Sequence, residues 1–174
     1  MNRIIRLSLV LALITSHFAV AATTPIDTLD VAVMKGLTSK GSRIGWDKLQ
    51  LGMTLQQAET AANKKLHLTE ESYGGAPTGT FGAETTIGKR PVSLSFSGSS
   101  ASSELLLILI KGSPNCDHAW FATLTKTIKR RIGVKHIEAD TCSMKFALPG
   151  PDNKLQWILL KGDGLWIGYA NQFD

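Results

Sequence analysis

The chain has 174 residues, 43% of them hydrophobic, and its 19 Lys and Arg against 14 Asp and Glu give a formal charge of +5. That supplies one ordinary core and excludes both a pair of large domains and wholesale disorder. No apolar run reaches 18 residues and no repeat of fixed period stands out, which excludes a multi-span membrane protein and a solenoid.

Residues 1–22 read as a cleaved signal peptide. Arg3 and Arg6 form its positive end, residues 7–14 (LSLVLALI) its apolar stretch, and Ala19-Val20-Ala21 the small-x-small pattern that a signal peptidase accepts. A membrane anchor needs about 20 apolar residues, far more than this run holds. With the segment go two arginines and no acids, so the formal charge falls from +5 to +3. So mild a bias on an exported chain argues against a nucleic-acid partner. The expected location is periplasmic or secreted, with no transmembrane segment after cleavage.

Residues 23–43 lack strong periodicity and read as a loosely held lead-in; residues 44–174 read as one domain. Thr54 with Gln57 three residues on fits a capping box, with Met53 and Ala58 placed as a hydrophobic staple. A first helix is expected over 55–66, with Leu55, Ala58, Ala61, Ala62 and Leu66 on one face. Glycine and threonine dominate 68–91, which reads as short strands over 68–73 and 78–87 separated by turns. Val92-Ser93-Leu94-Ser95-Phe96 alternates as a half-buried strand, residues 97–103 form a Ser/Gly/Ala loop, and the apolar run 105–110 reads as a strand that ends at Gly112-Ser113-Pro114.

A second helix over 117–132 places Trp120, Phe121, Leu124, Ile128 and Ile132 on one arc, and Gly133 is its natural stop. Arg131 falls inside that arc, either snorkelling at the helix end or serving as a recognition side chain. A helix of this length runs about 24 Å. An extended return over 134–142 covers about the same distance, which brings Cys142 back towards Cys116. Two cysteines in an oxidising compartment suggest a Cys116–Cys142 disulfide. On the return, His136, Glu138 and Asp140 alternate. On a regular strand that trio would share the inward face with Cys142 and Met144, so a bulge near 139–141 that turns it to solvent is the favoured reading over a metal site.

Residues 154–170 form the clearest hairpin, with Lys161-Gly162-Asp163-Gly164 at its turn. One face carries Leu155, Trp157, Leu159, Trp166 and Ala170; the other carries Ile158, Leu160, Leu165, Ile167 and Tyr169. Both are apolar, so the sheet needs cover on both sides: from the chain itself, from a partner, or from a greasy ligand. Trp157, Trp166 and Arg131 are the candidate binding residues. No nucleophile elbow, zinc, CxxC, phosphate-loop or dinucleotide motif occurs, and no cofactor or metal is expected.

The stretch Leu51-Gly52-Met53-Thr54-Leu55-Gln56-Gln57-Ala58 resembles the Gly-Met-Ser/Thr-x-x-Glu/Gln-Ala/Val helix start of small envelope proteins, the SmpA/OmlA assembly lipoproteins and the β-lactamase-inhibitor-protein-like domains. The resemblance covers about 20 residues. It implies a small α+β module with helices on an antiparallel sheet that acts by binding proteins. The chain departs from the lipoproteins in lacking their lipidated Cys and in having more strands.

The resulting expectation is an α+β fold of two helices packed on an antiparallel sheet of about six to seven strands, with one disulfide. Its function would be that of an exported, non-enzymatic protein-binding module of inhibitor, immunity or envelope-assembly type, bound to an envelope or secreted protein. The contact would be made by the apolar sheet face or by the loops at 74–79 and 97–103. The alternatives are a carrier of a small apolar ligand or lipid with Trp157 and Trp166 lining its pocket, and a hydrolase of unrecognised type using His118 or His136.

Overall fold

The computed structural model describes residues 28–29, 31–114, 117–133, 138–139, 143–161 and 164–169. In chain order these form β1 (Thr28–Leu29), α1 (Val31–Lys35), β2 (Leu37–Lys40), β3 (Arg43–Trp46), β4 (Leu49–Gln50), α2 (Leu55–Ala62), β5 (Thr69–Tyr73), β6 (Ala76–Ile87), β7 (Arg90–Phe96), β8 (Leu105–Lys111), β9 (Ser113–Pro114), α3 (His118–Ile132), β10 (Glu138–Ala139), β11 (Met144–Pro149), β12 (Leu155–Lys161) and β13 (Gly164–Tyr169). The fold is α+β. One antiparallel sheet of eight strands runs in the order β10-β11-β12-β13-β8-β7-β6-β5. A second sheet of three strands has the order β2-β3-β4, and β1 pairs with β9 in parallel.

Against the expected two helices and six to seven strands, the described residues form three α-helices, an eight-stranded sheet, a three-stranded sheet and the β1–β9 pair. The missed elements are short. Five residues of α1 and two of β10 are too few for a hydrophobic period to register. Within the segment read as a lead-in, Leu29, Val33, Met34 and Leu37 are at most 3% exposed and belong to the core.

Inner rows of the large sheet are apolar across five strands. Leu94, Ile108, Ile167, Ile158 and Phe146 stand side by side, as do Val92, Ile110, Leu165, Leu160 and Met144. All ten are buried in one cluster with residues of α1, α2, α3 and the small sheet. Helix α3 contributes Phe121, Leu124, Ile128 and Ile132, the arc that its sequence predicted. Asp117 caps its start by accepting from Trp120 N, 3.0 Å, and Gly133 ends it in the left-handed conformation.

Gln156 is a polar residue on this inner face, with no exposed surface. Its Oε1 accepts from Ile44 N, 2.8 Å, and its Nε2 donates to Ser42 O, 2.6 Å. One side-chain amide thus acts as a length of backbone, joining the β2–β3 hairpin to the large sheet and satisfying itself in the same two bonds.

Candidate binding surfaces

The capping box at Thr54 is present: Gln57 N donates to Thr54 Oγ1, 3.2 Å, and Thr54 N to Gln57 Oε1, 2.9 Å. The two remaining N–H groups of the first turn are met from outside the helix. Leu55 N donates to Ser103 O, 2.8 Å, and Gln56 N to Ala101 O, 3.3 Å. The 97–103 loop is therefore the cover of the α2 start. Its hydroxyls bind each other and the backbone around the buried Ser103, with Ser100 N donating to Ser103 Oγ, 3.0 Å, and Glu104 N to Ser97 Oγ, 2.9 Å. As a candidate contact loop it is largely committed to the fold.

The 74–79 loop differs in every respect. Strand β7 ends opposite Phe81, so residues 76–80 of β6 project beyond it; Ala76 and Pro77 pair with Tyr73 and Ser72 of β5, and the register shifts between there and the Glu70–Phe81 pair. Tyr73 pairs with Ala76 across Gly74-Gly75, whose φ angles of +60° and +85° build the primed turn that suits a right-twisted hairpin. Residues 72–79 are all exposed, and the Tyr73 ring is 86% exposed at the tip.

Glu71 latches this ribbon to the sheet. Its Oε2 accepts from Ser95 Oγ, 2.6 Å, and from Thr80 Oγ1, 2.7 Å, while its backbone O accepts from Thr78 Oγ1, 2.9 Å. Gly82 makes room: a Cβ there would meet Glu71 Oε1 at 2.8 Å. Residues 69–87 carry Glu70, Glu71 and Glu84 and no Lys or Arg, so an acidic hairpin stands out from a chain of net positive charge.

Trp157 and Trp166 lie on the outer face of the large sheet, away from the core cluster. One outer row reads Gly82, Ser95, Leu107, Gly168, Trp157, Ala147 across six strands; the next reads Glu84, Ser93, Leu109, Trp166, Leu159, Lys145. Trp157 is buried, donates its indole N–H to Tyr169 O, 2.8 Å, and spreads its ring over Gly168 towards Leu107. A Cβ on Gly168 would meet that ring at 2.8 Å and Leu107 at 3.0 Å. Leu107, Leu159 and Trp166 are half-buried and Leu155 is 46% exposed.

Arg131 does not join the two tryptophans. It sits on α3, which packs on the opposite side of the sheet, and its Nη1 donates to Lys35 O, 2.7 Å, and Leu37 O, 3.4 Å. Those bonds satisfy the carbonyls of Lys35 at the end of α1 and of Leu37 at the start of β2 and tie both to α3, so Arg131 lies on one side of the sheet and Trp157 and Trp166 on the other.

A further polar junction closes the other end of the core. Arg43 Nη1 donates to Gly52 O, 3.3 Å, and Lys154 lies 5.4 Å over the Tyr169 ring while pairing with Glu104 at 3.5 Å. Burial pushes the Tyr169 phenol above its ordinary pKa, against the opposing pull of Arg43. Cys116, Cys142, His136 and Asp140, and the side chains of His118 and Glu138, lie outside the described residues, so the disulfide, the metal trio and the histidines have no placement. No described helix is long and apolar enough to cross a membrane. Comparison with known protein families, with curated proteins and with solved structures finds no match.

Proposed function

We propose that this protein is an exported, non-enzymatic protein-binding module of inhibitor, immunity or envelope-assembly type, and that the β5–β6 ribbon carries its recognition. The observation behind this reading is the projecting hairpin with Tyr73 at its tip. A folded domain that leaves a large ring in solvent at the end of a latched, acidic ribbon holds a pre-organised anchor. Tyrosine supplies large contact area at little conformational cost, and aromatic residues dominate interface energetics. The fitting partner is an envelope or secreted protein with a cleft deep enough for one ring and a basic rim. Export is supported by the apolar run at 7–14 and the Ala19-Val20-Ala21 pattern.

The experiment is site-specific photo-crosslinking in the native envelope. A photoreactive phenylalanine analogue at position 73 should give one discrete protein adduct, and the same group at the exposed Lys126 on α3 should give none. No adduct from position 73, or the same adduct from both positions, overturns the reading.

The Cys116–Cys142 disulfide belongs to the same proposal, since an oxidising compartment and an even cysteine count support it. Denatured, unreduced protein should show no reactive thiol; two reactive thiols would sink the pairing.

A further inference from the structure

We infer that the edge of β5 takes one further strand, an extended and basic segment of the partner protein, by β-strand addition. The inference rests on the ribbon reading for its partner and adds which backbone groups of this chain that partner bonds.

Strand β5 is the last strand of the eight-stranded sheet and pairs there with β6. Thr69, Glu70, Ser72 and Tyr73 are exposed and Glu71 is half-buried.

The register fixes which backbone groups of β5 point outwards. Pro77 has no N–H, so its pair with Ser72 is not one that exchanges two hydrogen bonds. Glu71 and Tyr73 therefore turn their N–H and C=O groups towards β6. The Gly74-Gly75 turn agrees, since Tyr73 and Ala76 are the pair that closes it. So does Glu71 O, which accepts from Thr78 Oγ1 on β6, 2.9 Å. By the alternation of a strand, Glu70 and Ser72 turn their N–H and C=O groups away from the sheet. Among the described residues no turn or loop bond reaches those four groups.

The irregularity of this hairpin lies on β6. Between the Glu70–Phe81 and Ser72–Pro77 pairs β5 has one residue and β6 has three, with Gly79 at a φ of +73°. The outer edge of β5 therefore stays extended over its whole length, about 17 Å. Sheets commonly blunt such an edge with a bulge, a proline or a lysine, and β5 carries none of them.

The charges of the edge choose its occupant. Among the described residues no Lys or Arg pairs with Glu70 or Glu71. A second copy of β5 would bring glutamates to glutamates, which opposes self-pairing. A strand with Lys or Arg at alternate positions meets the opposite condition. Glu70 and Ser72 share one face of β5, and Thr69, Glu71 and Tyr73 share the other. The complementary strand thus sets a cation beside Glu70 and an aliphatic residue beside Tyr73. The bonds from Ser95 and Thr80 to Glu71 hold the edge in place beforehand, so docking costs little ordering.

The probe is a blocked hexapeptide of alternating Lys and Val, added to the isotope-labelled full chain. Amide exchange read by NMR should slow about tenfold at Glu70 and Ser72 at saturating peptide, while Glu71 and Tyr73, already bonded, stay unchanged. The matching Glu-Val peptide should have no effect, and Glu70→Lys should reverse that preference. Ser72→Pro removes an outward N–H and no bond to β6, so it should keep the circular dichroism spectrum and lose the slowing at Glu70; Ser72→Ala should keep both. Unchanged exchange at Glu70 and Ser72 overturns the inference, even if the peptide shifts the glutamate signals, because the contact is then one of charge alone. Equal slowing by both peptides overturns it as well. The photo-adduct from position 73 separates this inference from the ribbon reading. An adduct that persists in Ser72→Pro keeps the ribbon reading and overturns strand addition; an adduct lost in Ser72→Pro and kept in Ser72→Ala supports both.

Discussion

Ile158 and Leu159 are adjacent residues of the same strand and face opposite sides of the same sheet. Ile158 is fully buried in a cluster to which three helices and a second sheet contribute; Leu159 is half-buried beside Trp166 and the exposed Lys145. The inner face is completed by elements more than a hundred residues distant in sequence, and it draws its stability from long-range burial. The outer face is finished within its own plane: the Trp157 ring lies across Gly168, and its N–H is satisfied one strand over, at Tyr169 O. An apolar surface can be closed by bringing another layer to it or by laying its own large side chains flat over glycine. The second buries Trp157 and Leu109 but leaves Leu107, Leu159 and Trp166 half-buried.

Two truncations on neighbouring residues probe that difference most strongly. Ile158→Ala removes methyl groups from a site with no exposed surface, so it should cost about 2–5 kcal/mol in urea unfolding. Leu159→Ala removes a side chain that is already partly in water, and it should cost less than about 1.5 kcal/mol at concentrations where the protein is monomeric. Equal costs would break the comparison and mean that the outer face is covered as thoroughly as the inner. A Leu159→Ala cost that grows with protein concentration would sharpen it, because the cover would then be a second molecule.

Much of this architecture was legible in the residues. The alternation in 92–96, the apolar run 105–110, the capping signals around Thr54 and Gly133, and the pairing of 155–161 with 164–169 each state a local rule that the chain obeys. Helix α2 stops at Ala62 rather than at 66, because Asn63 takes the left-handed conformation and ends the ladder. The small sheet was not legible. Strands β2, β3 and β4 are two to four residues long, and their partner in the large sheet is a side chain, Gln156, rather than another strand. No periodicity announces a polar residue on an apolar face that will bond to the backbone more than a hundred positions away. Two-sided apolarity in the last hairpin was readable from its parity, whereas the separation of Arg131 from the tryptophans was not, because it depends on which side of the sheet receives α3. The ribbon was visible only as a pair of glycines after an alternating run; that Tyr73 stands clear of the sheet follows from β7 ending early.

The smaller effects lie with the polar group on each face. Gln156→Leu keeps the approximate volume and leaves the buried Ile44 N–H without its partner, whereas the carbonyl of the exposed Ser42 can turn to water. One such orphan costs about 1–3 kcal/mol, and a loss of that size is expected, with the Ile44 amide losing its protection in hydrogen exchange first. Glu71→Gln on the outer face keeps an oxygen of the same reach for Ser95 and Thr80. Exchanging a half-exposed charged acceptor for a neutral one should cost less than about 1 kcal/mol. A Glu71→Gln loss as large as that of Gln156→Leu would mean that the ribbon latch, like the inner amide, holds together parts of the fold that nothing else connects. A small loss with the ribbon amides alone exchanging faster would mean that the latch sets the direction of the hairpin and leaves the fold to the inner face.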